Sequence, residues 1–231
     1  MVPCGISETP AENVLPAETL KALCALRHYL AEDARSARRF LTTLKSTPPI
    51  AEIAIEEIDK HQGKAPLDII ESWLNMGFDV GLLSEAGCPG VADPGADVVR
   101  RMHQIGIQVV PLVGPSSLLL ALMSFGMNGQ QFAFRGYLPR ESNKRKQLIK
   151  HFEKESAREK IAQLFIETPY RNAALFKDFI EICSPDTVIG IAVNLTGKDE
   201  FVKTKPCRLW KNHDVFGEDK KPAVFGLWAG F

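Results

Sequence analysis

Short apolar runs of strand length alternate with segments whose apolar residues recur at helical spacing through most of the chain. That alternation predicts an α/β protein with mainly parallel strands. "MVPC" reads as a very short first strand ending in a Pro/Gly loop, and "LPAETLKALCALRHYL" then carries Leu20, Leu23 and Leu26 at helical spacing, with Pro16 suited to the helix start. "HYLAED" follows as a second strand and "ARSARRFLTTLK" as a helix. "PPIAEIAIEEI" is open to either assignment, because its apolar residues alternate as in a strand while Glu and Ala favour helix. "APLDIIESWLNMG" ends at Gly77 as a capped helix does, and "FDVGLLS" is a fourth strand. "PGADVVRRMHQIG" repeats the helix-then-glycine pattern, and "IQVVPLVG" is a fifth strand, so five β/α elements are complete by about Gly114.

The second half changes character. "PSSLLLALMSFGM" is an apolar helix marked at its start by Pro115, Ser116 and Ser117. "QFAFRGYLP" is strand then loop, "RESNKRKQLIKHFEKES" a basic amphipathic helix, "IAQLFIETP" a strand and "YRNAALFKDFIEIC" a helix. "DTVIGIAVNLTGKDEFVKTKPCRLW" predicts two strands joined by a polar turn, and "KPAVFGLWAGF" a last strand. Strands that follow one another without a helix between them imply a mixed sheet. The pattern therefore divides the chain near residues 111–115 into an N-terminal α/β domain (residues 1–113) with a mainly parallel sheet and a C-terminal α/β domain (residues 114–231) with a mixed one.

Composition narrows the function. With 231 residues the chain can bury a sizeable core. Its 28 Lys and Arg balance its 28 Asp and Glu, so a polyanion would have to be held by a local basic patch rather than by bulk attraction. The five cysteines (Cys4, Cys24, Cys88, Cys183, Cys207) are odd in number and widely spaced, without a C-x-x-C pair or a Cys/His cluster at zinc spacing. A reducing cytoplasm and no metal are expected. No apolar stretch approaches the roughly 18 residues of a membrane span, and no basic region followed by an apolar core opens the chain. Neither membrane insertion nor secretion is expected. His28, His61, His103, His151 and His213 are scattered without a partner at ligand spacing, and Trp73, Trp210 and Trp228 sit in apolar patterns that suit a core or a dimer interface.

Candidate chemistry gathers in loops that follow strands, where open α/β sheets present backbone N–H groups and helix N-termini to ligands. Three qualify: "PCGISE" after the first strand, "SEAGCPGVADPG" (residues 84–95) after the fourth, and "VGPSS" after the fifth. Gly and Pro serve turns far more often than ligands, but two of these loops belong to consecutive β/α elements. The middle loop holds Glu85 and Asp93 and no Lys, Arg or His, so a phosphate would be repelled there, and neither G-x-G-x-x-G nor G-x-x-x-x-G-K-[ST] occurs. A ligand with a cationic centre, or with hydroxyls in need of acceptors, suits it better.

"VGLLSEAGCPGVADPGADVVRRMHQIGIQVVPLVGPSSLLLALMSFGM", followed by "FAFRGYLPR", "IETPYR" and "AVNLTGKDEFV", resembles the tetrapyrrole methylase superfamily of S-adenosylmethionine-dependent methyltransferases. Within it the chain is most similar to the branch that 2′-O-methylates cytidine in small-subunit ribosomal RNA. Members of that branch typically show S-D-A-G-T-P, S-D-P-G, P-G-P-S/C, a G-F-L-P loop before a basic helix and E-S/T-P-H-R in this order, and the match runs from about Leu26 onward. The resemblance implies two α/β domains with S-adenosylmethionine in a cleft between them, and a homodimer. It further implies that Pro3 in the first loop, then Ser84, Glu85, Ala86 and Gly87 with Val91, Ala92 and Asp93, line the cofactor's methionine and ribose portions, joined by Ser116 and Ser117. The adenine would lie against Thr168, Val193, Asn194, Leu195, Pro222 and Ala223. This sequence departs from the pattern in four places: Glu85 stands for the usual Asp, Asn194 for the acid of E-L-T-K, "PCGISE" for P-T-P-I-G-N, and the lead-in to the E-D-T/A-R-x-x-R segment diverges.

Methyl transfer is a displacement at a sulfonium, so catalysis is mostly positioning, with a base needed where the acceptor is a hydroxyl or amine. Glu32 and Asp93 are candidate catalytic acids near predicted strand ends, while Glu32 and Asp33 would equally serve as caps of the following helix. Arg35 and Arg39, four apart on one helical face, would grip a phosphate backbone or form a solvated face. Lys144 and Arg145 in the basic helix and Arg171 are further RNA candidates, with Tyr170 as a stacking group. Core packing is the competing role for Tyr170, and an ion pair with Glu167 the competing role for Arg171. The reading is an RNA methyltransferase. Its alternatives are methylation of a tetrapyrrole or another small molecule, and a non-catalytic paralogue that binds cofactor or RNA.

Overall fold

The computed structural model describes residues 1–45, 47–58, 65–211, 213, 215–217 and 220–230; His61 lies outside them. The chain forms two compact units, Met1–Ser116 and Ser117–Phe231, each with its own sheet, as expected for an α/β protein.

In the first unit β1 (His28–Ala31) lies between β2 (Ala54–Glu57) and β3 (Val80–Leu83), all parallel, with His28 opposite both Ala54 and Val80. Alternation along β1 and β3 sends side chains to opposite faces. Tyr29, Ala31 and Leu83 pack with Leu23 of α1 (Ala17–Ala25) and Leu41 of α2 (Ala34–Thr43). Leu30 and Leu82 pack with Ile70 of α3 (Leu67–Asn75) and with Val98 and Met102 of α4 (Ala96–Gln104). Apolar layers thus cover both faces of the sheet, and the strand ends carry the loops.

Two expectations for this unit are corrected. "MVPC" contributes one parallel bridge, Val2 to Leu83, rather than a strand. "IQVVPLVG" enters no ladder and touches Met1 instead: Met1 N donates to Val110 O at 2.9 Å, and Leu112 N to Met1 O at 3.0 Å. Pro111, which lacks an N–H, interrupts it between those two contacts. The ambiguous "PPIAEIAIEEI" divides: Ile50–Glu52 is a 3-10 turn and Ala54–Glu57 is β2.

In the second unit β4 (Phe132–Phe134), β5 (Ala162–Glu167), β6 (Val188–Val193), β7 (Phe201–Pro206) and β8 (Ala223–Trp228) form a mixed sheet in the order β4-β5-β8-β6-β7. Only β4 and β5 run parallel. One face of the sheet, through Phe165, Ile189, Ile191 and Phe225, buries against Ile149 of α6 (Ser142–Glu159) and Phe176 and Phe179 of α7 (Asn172–Ile182). On the other face Gly190 of β6 and Gly226 of β8 pair directly, and the Phe125 ring of α5 (Ser117–Phe125) lies on both. A Cβ at either glycine would come within 2.7 Å of that ring.

Candidate functional site

The Ser84–Asp93 segment leaves β3 at its C-terminal end and is shaped by left-handed backbone. Gly87 (φ 73°), Gly90 (φ 78°) and Ala92 (φ 62°) all lie in the region that glycine adopts without steric penalty. At Gly87 a Cβ would also meet Ile6 Cγ2 at 3.1 Å and Pro115 O at 3.4 Å, so the loop touches both the first loop and the one that follows residue 113. Its polar atoms are turned inward: Ser84 Oγ donates to Gly87 O and Cys4 Sγ to Ser84 O, both at 2.9 Å, and Cys4 N donates to Gly87 O at 2.9 Å. Burial pushes the Cys4 thiol up to about 12, so it stays a neutral donor at physiological pH. Cys4 was not singled out from the sequence, although its place directly after an apolar start and before Gly5 is the available signal. Pro3 is buried beside it, and a Cβ on Gly114 would fall 2.3 Å from the Pro3 ring.

Acids from two strand ends converge on this loop. The Asp93 carboxyl is pushed up to about 6, first by burial and then by the charges of Glu32, which follows β1, and Glu85. Glu85 and Ala86 are exposed, and Val91 and Ala92 are exposed beyond them. The cap reading holds for Asp33, whose Oδ1 accepts from Ser36 N at 2.7 Å; Glu57 Oε1 accepts from Ala34 N at 2.7 Å and completes the first turn of α2. Ser116 and Ser117 are half-buried where the chain enters α5.

Beside the acidic loop the first unit has a concavity of about 840 Å³. Ser84 and Glu85 form part of its wall, Arg39 and Lys45 another, and the Gly5–Asn13 stretch closes it. Arg35 lies on the same helix, exposed but outside the lining. Sequence reasoning placed Arg39 and missed Lys45 and Phe40, which lie on either side of Thr43 and register only once α2 is known to end there.

In the second unit the adenine candidates are brought together by strand register. Val193 and Glu167 both pair with Ala223, so Thr168, Val193, Asn194, Leu195 and Pro222 cluster at one end of β5, β8 and β6. Asn194 (φ 51°) and Thr196 (φ 64°) are left-handed, and Asn194 N donates to Pro222 O at 2.9 Å. Asn172 Nδ2 fastens the same segment through Lys221 O at 2.8 Å. Thr168 N and Oγ1 both donate to Glu167 Oε1. Asn is among the non-glycine residues that best tolerate this backbone, which accounts physically for its presence at 194.

The RNA candidates of this unit separate. Tyr170 is 63% exposed, and Lys144 is exposed with a solvated Glu141 partner at 2.8 Å. Arg145 is corrected: it is 6% exposed and paired with Asp178, Nε to Oδ2 2.6 Å, while Nη1 donates to Pro139 O and Arg140 O. A guanidinium so placed anchors the 136–140 loop and is shielded from a phosphate. Arg171 is likewise engaged, pairing with Glu167 and donating to Leu138 O at 2.9 Å. Among the described residues no group of three or more His, Cys, Asp or Glu is placed to hold a metal ion, and no helix is long and apolar enough to cross a membrane.

No family model matches the chain. It is similar to proteins named ribosomal RNA small subunit methyltransferase I: 32% identical over 201 residues to that of Thermotoga maritima, covering 85% of both chains, and 30% identical over 217 residues to that of Bacillus subtilis, covering 93% of this chain and 70% of that one. The Neisseria meningitidis serogroup A protein of the same name is 32% identical over 177 residues, 75% of this chain and 57% of its own length. The chain therefore spans little more than half of that relative. Among solved structures it superposes on the methyltransferase CobJ with a TM-score of 0.59 at 17% identity, over 93% of this chain and 88% of that one. For the uroporphyrin-III-C-methyltransferase of Thermus thermophilus the TM-score is 0.56 at 15% identity, over 99% and 91%. These two likenesses concern the fold.

Proposed function

The chain belongs to the family of the ribosomal RNA small subunit methyltransferase I proteins, within the tetrapyrrole methylase superfamily, and from that premise we propose that it is an S-adenosylmethionine-dependent enzyme that 2′-O-methylates small-subunit ribosomal RNA. The observation that carries the reading is the concavity in which Arg39, and Lys45 with its Glu12 partner at 3.6 Å, face the same hollow as Ser84 and Glu85. A phosphate backbone gripped at one wall brings its ribose toward an acid-lined loop at the other. A tetrapyrrole carboxylate could also meet Arg39, but the exposed Arg35 and Arg38 extend the cationic face beyond the hollow, as a long polyanion requires.

The donor set fits the cofactor. S-adenosylmethionine, when bound, supplies a methyl group on a positively charged sulfur that is open to in-line displacement. Glu85 and Asp93 are acceptors, which suit ribose hydroxyls and a cationic centre and repel phosphate. Pro3, Ala86, Val91, Ala92, Ser116 and Ser117 would complete this half. Thr168, Val193, Asn194, Leu195, Pro222 and Ala223 would hold the adenine, largely through main chain.

Asp93 is the base of this scheme. A carboxylate that titrates near 6 is ionised at neutral pH yet more basic than an ordinary Asp, and it takes the proton of the attacking 2′-hydroxyl. Glu32 sustains that basicity through its charge. Arg35, Arg39 and Lys144 would hold phosphates, and Tyr170 would stack a base. The five free thiols and a ribosomal substrate suit the cytoplasm, and a homodimer completes the reading.

The experiment is transfer of labelled methyl from S-adenosylmethionine to isolated small ribosomal subunits and, in parallel, to tetrapyrrole precursors. Label in ribosomal RNA is expected. Label confined to small molecules would replace the RNA reading, and failure to bind cofactor at millimolar concentration would remove both.

A further inference from the structure

The outer edge of the second sheet carries a cluster that the candidate site does not use. β7 is an edge strand, and alternate residues on one of its faces are Phe201, Lys203 and Lys205. Phe201 is 36% exposed and pairs across the ladder with Val193, at the loop assigned to the adenine. Lys203 is exposed beside it. Lys205 is half-buried: its Nζ lies 5.2 Å from the centroid of the Trp210 ring and donates to His213 Nε2 at 2.9 Å. The Trp210 ring is fixed in turn, 1% exposed with Nε1 donating to Ile189 O at 3.0 Å. His213 Nδ1 is 3.3 Å from Lys211 O, so the imidazole gives its proton to that carbonyl and accepts the lysine at the other nitrogen.

Loss of hydration, and then the charge of Lys203, pull the Lys205 ammonium below its ordinary value. No carboxylate among the described residues pairs with either lysine. An outward lysine is enough to guard an edge strand against pairing with another chain. Here two cations crowd together with no counter-charge among the described residues, and one is held over an indole. A solvated lysine loses rotamer freedom when an anion immobilises it; Lys205, held over the indole and bonded to His213, has less of that freedom to lose. An exposed aromatic followed at strand spacing by two such cations matches the chemistry of a nucleic acid single strand, which offers a base to stack and phosphates at regular intervals.

We propose that this face of β7 is a contact surface for single-stranded RNA, with a base stacked on Phe201 and the backbone held by Lys203 and Lys205, leading toward the loop at Val193. The inference rests on the RNA methyltransferase reading and names a surface for that substrate. It is tested by anisotropy of a labelled single-stranded oligoribonucleotide with the full chain at several salt concentrations. The Lys203→Gln/Lys205→Gln variant should bind at least tenfold more weakly and flatten the slope of log affinity against log salt by about 1.4, two contacts at about 0.7 each. Phe201→Leu should weaken binding about tenfold with the slope unchanged. Thermal midpoints equal to the parent's show that both variants fold. If the parent binds RNA and the double-lysine variant keeps its affinity and slope, the surface is wrong and the RNA reading stands. If the parent binds no RNA while methylating a small molecule, both are wrong. Duplex RNA bound as tightly as single strands, with Phe201→Leu silent, overturns the stacking assignment.

Discussion

Asp93, as the proposed base, would link stability and activity through one proton. An unfolded Asp titrates near 3.9, whereas the folded carboxyl titrates near 6. Between those values the folded protein retains a proton that the unfolded chain has lost. The stabilisation it brings is therefore complete below about pH 4 and disappears as pH rises through 6. Asp93→Asn should be more stable than the parent at pH 7.5, on the order of 1 kcal/mol once solvent screening is allowed for, and the two melting curves should converge near pH 4. Methyl transfer by the parent should rise across pH 6, and the variant should lose that limb together with at least a hundredfold of rate. Glu85→Ala should lower cofactor affinity, measured by calorimetry, while an unchanged affinity would mean that the loop acts through its main chain alone. Arg145→Ala leaves the buried Asp178 with the more distant Lys146, at 3.7 Å, and the Ser142 hydroxyl as partners, and a loss of about 3 kcal/mol is expected in denaturant melts. Of these residues Glu85 and Asp93 were legible from one fact, a glycine-rich loop with acids and no cation. Arg145 was misplaced because burial cannot be read from a charge run: its partner Asp178 lies 33 positions away on another helix.

At the scale of elements, periodicity located the α-helices described in the second unit and most strands, since each of those segments buries one regular face, while the 3-10 turn Cys207–Leu209 fell inside a run read as strand. It failed where an apolar run has no neighbour to pair with. "IQVVPLVG" has the residues of a strand, but among the described residues it enters no ladder: its main chain bonds to Met1 on either side of Pro111, and Thr19 Oγ1 donates to Val113 O. The seat of Phe125 was equally hidden, because it needs Gly190 and Gly226, 36 residues apart, to face each other. Gly190→Ala should destabilise by about 1–3 kcal/mol through overpacking. Combining it with Phe125→Leu should recover part of that loss, a coupling that a double-mutant cycle of thermal melts would expose.

For the whole molecule, an equal count of positive and negative side chains conceals an uneven distribution: acids at the first strand ends, cations on α2 and on β7. The acids and the α2 cations were evident along the chain; the lysines of β7 were not, because they gain their meaning from Trp210 and His213. The five cysteines are free, so melting with and without reductant should give the same midpoint. Each unit encloses its own apolar interior, while the grouping of Thr168, Asn194 and Pro222 depends on strand order that no local pattern encodes. That grouping has an evolutionary consequence. The turn at Asn194 and Thr196 is held by left-handed torsion angles, which Asn tolerates better than most residues, so an amide in place of a carboxylate at 194 keeps the backbone form of the proposed adenine site. A difference in letters at such a turn is then a difference in side chain more than in backbone shape, and drift there should favour the few residues that accept this conformation.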